Sequence, residues 1–138
     1  MRPILVDTSF IIALYNKSDR RHAQCMYMLD AVEQQAVTCE AVVTESCYML
    51  RQVRGAMADI LATIETGALE IRFQLDRSAG KVRALLEKYR DLPASLADAC
   101  LVQMADELDT GDILTLDSDF KRYRWRRNRA FNLLIPLD

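Results

Sequence analysis

The sequence predicts an α/β fold, a three-layer α/β/α sandwich built on a short, mostly parallel central sheet. Two observations lead there. Short apolar runs rich in branched residues alternate along the chain with longer segments of helical period. Strands separated by helices pair in parallel through crossover connections, which places helices on both faces of the sheet. With 138 residues, 51% of them hydrophobic, the chain has the length and apolar content of one domain spanning 1–138.

The elements follow in order. Pro3-Ile4-Leu5-Val6 reads as a buried strand, and Asp7-Thr8-Ser9 after it are helix-capping residue types. Helical patterning runs from Phe10 to Tyr15 and again from Arg20 to Gln34. Residues 36–39 suit a short strand, and the spacing predicts a helix over 41–54 that Gly55 closes. A helix over 56–66 ends at Gly67, and the alternation of Leu69 to Phe73 suits a strand. An amphipathic helix covers Ser78 to Tyr89, Asp91-Leu92-Pro93-Ala94 breaks the chain, and a helix runs from Ser95 to Leu108 with Thr110-Gly111 as its stop. Ile113 to Leu116 and Phe131 to Ile135 read as strands. Sites in parallel sheets form at the carboxyl ends of strands, so Asp7 and Asp117 fall on one edge.

Composition narrows the function classes. Eighteen Lys and Arg against 20 Asp and Glu give a net charge of −2, within the ordinary soluble range. The longest apolar run, Phe10 to Tyr15, is far below the roughly 20 residues of a membrane span, and no secretion signal is visible. The expectation is a cytoplasmic protein with no membrane contact. Cys25, Cys39, Cys47 and Cys100 form no C-x-x-C pair and His22 is the only imidazole. Zinc binding and Cys-His nucleophilic catalysis therefore lack a basis, and the cysteines read as reduced, buried thiols, mostly helical. His22 reads as an exposed helical residue, and Tyr48 and Met49 read as core.

The acidic residues carry more information. Val42, Glu45, Met49 and Val53 recur at helical spacing, and Glu45 interrupts that apolar stripe. Asp98 is the first charge of a helix that is apolar on almost every side, although Ser95-Leu96-Ala97-Asp98 also reads as a capping box. Strand-end aspartates such as Asp7 and Asp117 commonly start turns or cap helices as well. Brought together, two such charges at 4 Å repel by about 4 kcal/mol at an effective dielectric near 20. A hard divalent cation, Mg²⁺ or Mn²⁺, removes that conflict, and the chemistry expected of it is attack on a phosphate ester.

Ile4-Leu5-Val6-Asp7-Thr8-Ser9, Val43-Thr44-Glu45, Asp91-Leu92-Pro93-Ala94-Ser95-Leu96-Ala97-Asp98-Ala99 and Thr115-Leu116-Asp117-Ser118-Asp119-Phe120 resemble the ordered motifs of PIN-domain nucleases, the VapC-like toxin ribonucleases above all. The match runs from residue 4 to about residue 135. The resemblance implies a Mg²⁺- or Mn²⁺-dependent endoribonuclease with Asp7, Glu45, Asp98 and Asp117 as metal-binding catalytic acids. It implies Ser9 and Thr115 as orienting residues and admits Asp119 as a fifth acid, although a helix-cap reading of Asp119 before Phe120-Lys121 is slightly favoured over that role. Asp91 reads as a turn residue. Water attack would leave 5′-phosphate and 3′-hydroxyl ends, and no histidine base is needed. The resemblance also implies RNA as substrate, a cognate antitoxin as partner, and a homodimer, for which the helices at 20–34 and 41–66 offer surplus apolar surface. A housekeeping RNA-processing nuclease would share these motifs. A silent binding module is disfavoured by the intact acids, and an aspartyl-phosphate phosphatase by Ser9, which stands where a second Asp is needed.

Lys121, Arg122, Arg124, Arg126, Arg127 and Arg129 place six cations in nine residues, with Tyr123 and Trp125 between them. Such a segment can attract phosphates and stack bases. It can equally pair with the protein's own acids or dock an acidic or aromatic partner segment.

Overall fold

Ile4–Val6 forms β1, the central strand of a five-stranded sheet in the computed structural model, which describes residues 1–137. The order is β3-β2-β1-β4-β7, where β2 is Ala36–Thr38, β3 Leu69–Ile71, β4 Asp112–Leu114 and β7 Asn132–Leu133. Every pairing in it is parallel, with Leu5 in register with Val37 on one side and Ile113 on the other. Ile4, Leu5, Ile113 and Leu114 are fully buried, as expected of parallel strands covered on both faces, whose sequences run apolar without alternation.

The helices are α1 (Thr8–Tyr15), α2 (His22–Ala31), α3 (Glu40–Met49), α4 (Ala56–Glu65), α5 (Leu75–Lys88) and α6 (Leu96–Leu108). Helix α1 packs on α2, α3 and α4, α5 packs on α6, and α3 also touches α6. Right-handed crossovers in this strand order put the α1–α2 and α5–α6 connections on opposite faces, giving the predicted sandwich. Residues Ala99 to Ala105 of α6 are all buried, which explains its apolar character on every side.

Several boundaries move. The helix expected over 41–54 stops at Met49, and Gly55, at φ 81°, serves as the N-cap of α4 rather than closing α3. The helix expected from Ser78 begins at Leu75, and the one expected over 20–34 spans only His22–Ala31. Helix α6 ends on Asp109, whose left-handed φ of 54° supplies the reversal expected of Thr110-Gly111. Gly111 instead accommodates the indole of Trp125, against which a Cβ there would clash. Two strands were not anticipated: β5 (Arg124–Trp125) and β6 (Arg129–Ala130) form an antiparallel hairpin within the basic segment.

All four cysteines are free, with Cys25, Cys39 and Cys100 buried and Cys47 half-buried; Cys39 lies at the N-cap of α3 rather than within a helix. His22 is half-buried rather than exposed, and its Nδ1 donates to the Ala13 carbonyl at 2.9 Å, tying α2 to α1. Among the described residues no helix is long and apolar enough to cross a membrane.

Candidate active site

The carboxyl ends of β1 and β4 meet the N-termini of α1 and α6 at one edge of the sheet. A cleft of about 450 Å³ opens there, lined by Asp7, Thr8, Ser9, Ile12, Glu45, Tyr48, Met49, Asp98 and Asp117. All four expected acids are in it, drawn from four separate stretches of sequence.

Asp7 is the most deeply held. It caps α1, is only 3% exposed, and accepts the Thr8 N–H on Oδ1 at 2.8 Å. Its Oδ2 accepts the hydroxyls of Thr115 at 2.6 Å and Ser9 at 3.2 Å. The Ser9 hydroxyl oxygen in turn accepts the Leu116 N–H at 2.9 Å, and that of Thr115 accepts the Asp117 N–H at 3.0 Å. Ser9 and Thr115 thus tie the first strand end to the fourth and set the direction of Asp7. Thr8 Oγ1 is buried in the same corner without a partner among the described residues.

Asp98 forms the anticipated capping box: its N–H donates to Ser95 Oγ at 3.0 Å and its Oδ2 accepts the Ser95 N–H at 3.2 Å. The two readings of Asp98 coexist, because it also lines the cleft. Its Oδ2 accepts a second bond, from the Tyr123 hydroxyl at 3.0 Å. Asp117 caps the 3-10 turn Ser118–Lys121 through the Asp119 N–H at 2.9 Å. Asp119 does not line the cleft; it stands beside Asp117 and its carbonyl accepts the N–H of Arg122. Asp91 lies in an exposed turn and is not among the residues that line the cleft.

Burial is the first cause of an unusual protonation pattern. It pushes the Asp7 carboxyl up to about 7, against the Thr115 hydrogen bond and with the charges of Asp98 and Asp117 adding to the rise. Burial also raises Asp98, where the Glu45 charge contributes, and Asp117, where Asp119 and Asp98 contribute. Among the described residues no Lys or Arg pairs with any of these acids; the ion pairs present are Arg2 and Arg126 with Asp109, Arg72 with Glu70, and Arg90 with Glu87.

A set of oxygen donors whose negative charge no side-chain cation offsets among the described residues fits a hard divalent cation. The carboxylates ring an open cleft, and among the described residues no three converge into a ready-made cage.

Two aromatic expectations are corrected. Tyr48 and Met49 are not core: they are 62% and 57% exposed and form one wall of the cleft. The stripe that faces inward is Val42, Ser46 and Leu50, at spacings of four, and it turns Glu45 and Met49 outward. Tyr123 and Trp125, for which base stacking is one of the readings the sequence leaves open, are buried. The basic segment divides. Arg124 donates to the carbonyls of Lys121 and Tyr123, Arg126 pairs with Asp109, and Arg129 lies over the Trp125 ring at 5.2 Å. Lys121, Arg122, Arg126, Arg127 and Arg129 are all exposed; Lys121 Nζ donates to the Leu137 carbonyl at 3.4 Å, while the side chains of Arg122 and Arg127 have no partner among the described residues.

The family model described as PIN domain matches residues 4–126. The chain belongs to the PIN-domain family. It is 28% identical over 136 residues to Ribonuclease VapC26 of Mycobacterium tuberculosis (strain ATCC 25618 / H37Rv), covering 97% of this chain and 93% of that protein. Its fold is that of Mycobacterium tuberculosis VapC20, a sarcin-ricin loop cleaving toxin, at a TM-score of 0.76 and 21% identity, over 86% of this chain and 93% of that one. The PIN fold thus accounts for the central parallel sheet flanked by helices.

Proposed function

We propose that this PIN-domain chain is a Mg²⁺- or Mn²⁺-dependent endoribonuclease that hydrolyses RNA to 5′-phosphate and 3′-hydroxyl ends. One observation carries the reading: Asp7, buried and oriented by Thr8, Ser9 and Thr115, shares its cleft with Glu45, Asp98 and Asp117, and no side-chain cation offsets them among the described residues. Asp7, Glu45, Asp98 and Asp117 are the candidate ligands, each ion taking one or two of them directly and reaching the others through water, with Asp119 adding negative potential behind Asp117. When bound, the metal supplies charge neutralisation at the phosphate and a more acidic water. In the hydrolysis a water oxygen bonds to phosphorus while the P–O3′ bond breaks, and O3′ leaves with a proton. The Ser9 and Thr115 hydroxyls keep the Asp7 carboxylate in one orientation throughout, and Tyr123 and Ser95 do the same for Asp98.

The VapC relatives support the role of toxin in a type II toxin–antitoxin pair acting in the cytoplasm, with a cognate antitoxin as partner. The sarcin-ricin loop named for one of them is the RNA to try first. Met26 and Tyr27 on α2, and Met57 and Leu61 on α4, are exposed and support a homodimer. Lys121, Arg122 and Arg127 are the exposed cations best able to meet RNA phosphates or an acidic partner, with Arg124 and Arg126 held back by their own contacts.

The test is cleavage of end-labelled structured RNA by the wild type and by Asp98→Asn, each with Mg²⁺, Mn²⁺ and EDTA. Metal-dependent cleavage that leaves 5′-phosphate ends and is lost in the variant supports the reading. Activity that persists in EDTA or in Asp98→Asn overturns it.

A further inference from the structure

The nuclease reading leaves one wall of the cleft without a role. Helix α3 buries Val42 and Ser46, and Leu50 follows inward, so its opposite face carries Glu45, Tyr48 and Met49 into the cleft. An aromatic ring that is 62% exposed beside four carboxylates neither packs the core nor partners the acids. It is nevertheless held in place. The Arg51 guanidinium lies 4.1 Å from the Tyr48 ring centroid, and its Nη1 donates to the Tyr48 carbonyl at 2.9 Å. A cation stacked on one face of a ring orients it and leaves the remaining surface open to a second planar group.

We propose that Tyr48, braced by Arg51, forms a nucleobase subsite: an unpaired base next to the scissile phosphate stacks on the Tyr48 ring, with Met49 and Ile12 completing the apolar surroundings. The inference rests on the nuclease reading and names its substrate class, RNA with a splayed, single-stranded nucleotide. Three features favour a base over other ligands. The surface is flat and apolar, which suits the π-face that every base presents. It adjoins the acids that would serve the phosphate, so one nucleotide spans both. Arg51 adds positive charge at the rim of a cleft whose floor is acidic, where a polyanion otherwise meets repulsion. Bases within a duplex are stacked on one another and not offered to a side chain, so the subsite selects loops, bulges and ends.

The test measures binding apart from cleavage, by fluorescence anisotropy in Ca²⁺ with probe integrity checked on a gel. The probes are a short labelled single-stranded RNA, the same sequence in a blunt duplex, and a set with one abasic nucleotide at each position in turn. The wild type should prefer the single strand. Tyr48→Ala should weaken that binding by roughly 5- to 100-fold, and Tyr48→Phe should stay within about twofold of wild type. One abasic position should cost the wild type a similar factor and cost Tyr48→Ala nothing further. Because Tyr48 is exposed, both variants should melt with the wild type, which separates lost stacking from lost folding. Equal binding by Tyr48→Ala and wild type, or an abasic penalty that survives in Tyr48→Ala, overturns the subsite and leaves the nuclease reading standing. A wild-type chain that binds none of the probes and cleaves no RNA overturns the nuclease reading itself, and the subsite with it.

Discussion

The hydroxyl of Tyr123 donates a 3.0 Å hydrogen bond to Asp98 Oδ2, joining the basic segment to an acid of the cleft. The ring cannot swing away. It is fully buried, edge-on to Tyr89 and to Phe120 with centroids 5.0 Å apart in each case. Tyr123→Phe keeps the packing and deletes the bond. The expected cost is about 1 kcal/mol of stability and a loss of about tenfold or more in cleavage, the usual effect of removing an outer partner from a metal-binding carboxylate. RNA affinity should not change. Single-turnover cleavage, anisotropy and thermal melting of the two proteins check these three outcomes.

Asp7 makes the metal-free protein pH-sensitive. Its carboxyl is pushed up to about 7 by burial, whereas in the unfolded chain it titrates near 3.9. Between those values the native state keeps a proton that the unfolded state has released, so stability falls as pH rises from about 4 through about 7. In EDTA, Asp7→Asn should therefore melt above wild type at pH 8 and converge with it near pH 4. Added Mg²⁺ should raise the wild-type melting temperature at pH 8 and leave Asp7→Asn unmoved. Calorimetric melting over this pH range, with and without the metal, measures both differences.

Gly111→Ala tests the seat of the hairpin. Its φ is not left-handed, so alanine would ordinarily stabilise by restricting the unfolded chain. Here the added methyl would overlap the Trp125 indole, which is itself fixed by a bond from Nε1 to the Ala130 carbonyl at 3.2 Å. Crowding of this kind costs about 1–3 kcal/mol. A chemical denaturation midpoint that falls rather than rises confirms that the close approach governs the site.

The cations of the hairpin should not be equivalent. All three are exposed, but Arg126 is paired with Asp109 at 2.8 Å and its backbone N–H donates to the Asp106 carboxylate, whereas the side chains of Arg122 and Arg127 have no partner among the described residues. Arg122→Ala and Arg127→Ala should each weaken RNA binding and reduce the slope of log affinity against log salt by about one unit. Arg126→Ala should cost stability first and change the salt slope least. Salt titrations of the three variants distinguish them.

Much of the site was legible before the fold was known, because its acids sit where local rules are strong. Asp7 follows a three-residue apolar strand, and Asp98 completes a capping box with Ser95; both patterns are written in contiguous residues. What escaped depends on contacts distant in sequence or on a misleading period. The stripe Val42, Glu45, Met49, Val53 matched a helical face, but the buried face is Val42, Ser46, Leu50, and a polar Ser46 hides it. The exposed position of Tyr48 was lost with it. Tyr123 reads as one aromatic in a charge run, and only the fold brings its hydroxyl to Asp98. The β5–β6 hairpin went unseen because its turn uses Arg126 and Arg127 at positive φ, 42° and 72°, where glycine or asparagine would have signalled it.

The strand order has a kinetic consequence. The middle strand β1 is made first, yet one of its two neighbours, β4, is more than a hundred residues downstream. During synthesis Asp7 emerges long before Thr115, the partner that orients it, and the sheet cannot close around it until β4 has left the ribosome. Distant pairings of this sort form late and slowly. A growing or truncated chain that ends before Asp117 therefore has no assembled acid cluster, and competence for chemistry arrives only once β4 and the residues that follow it have been made.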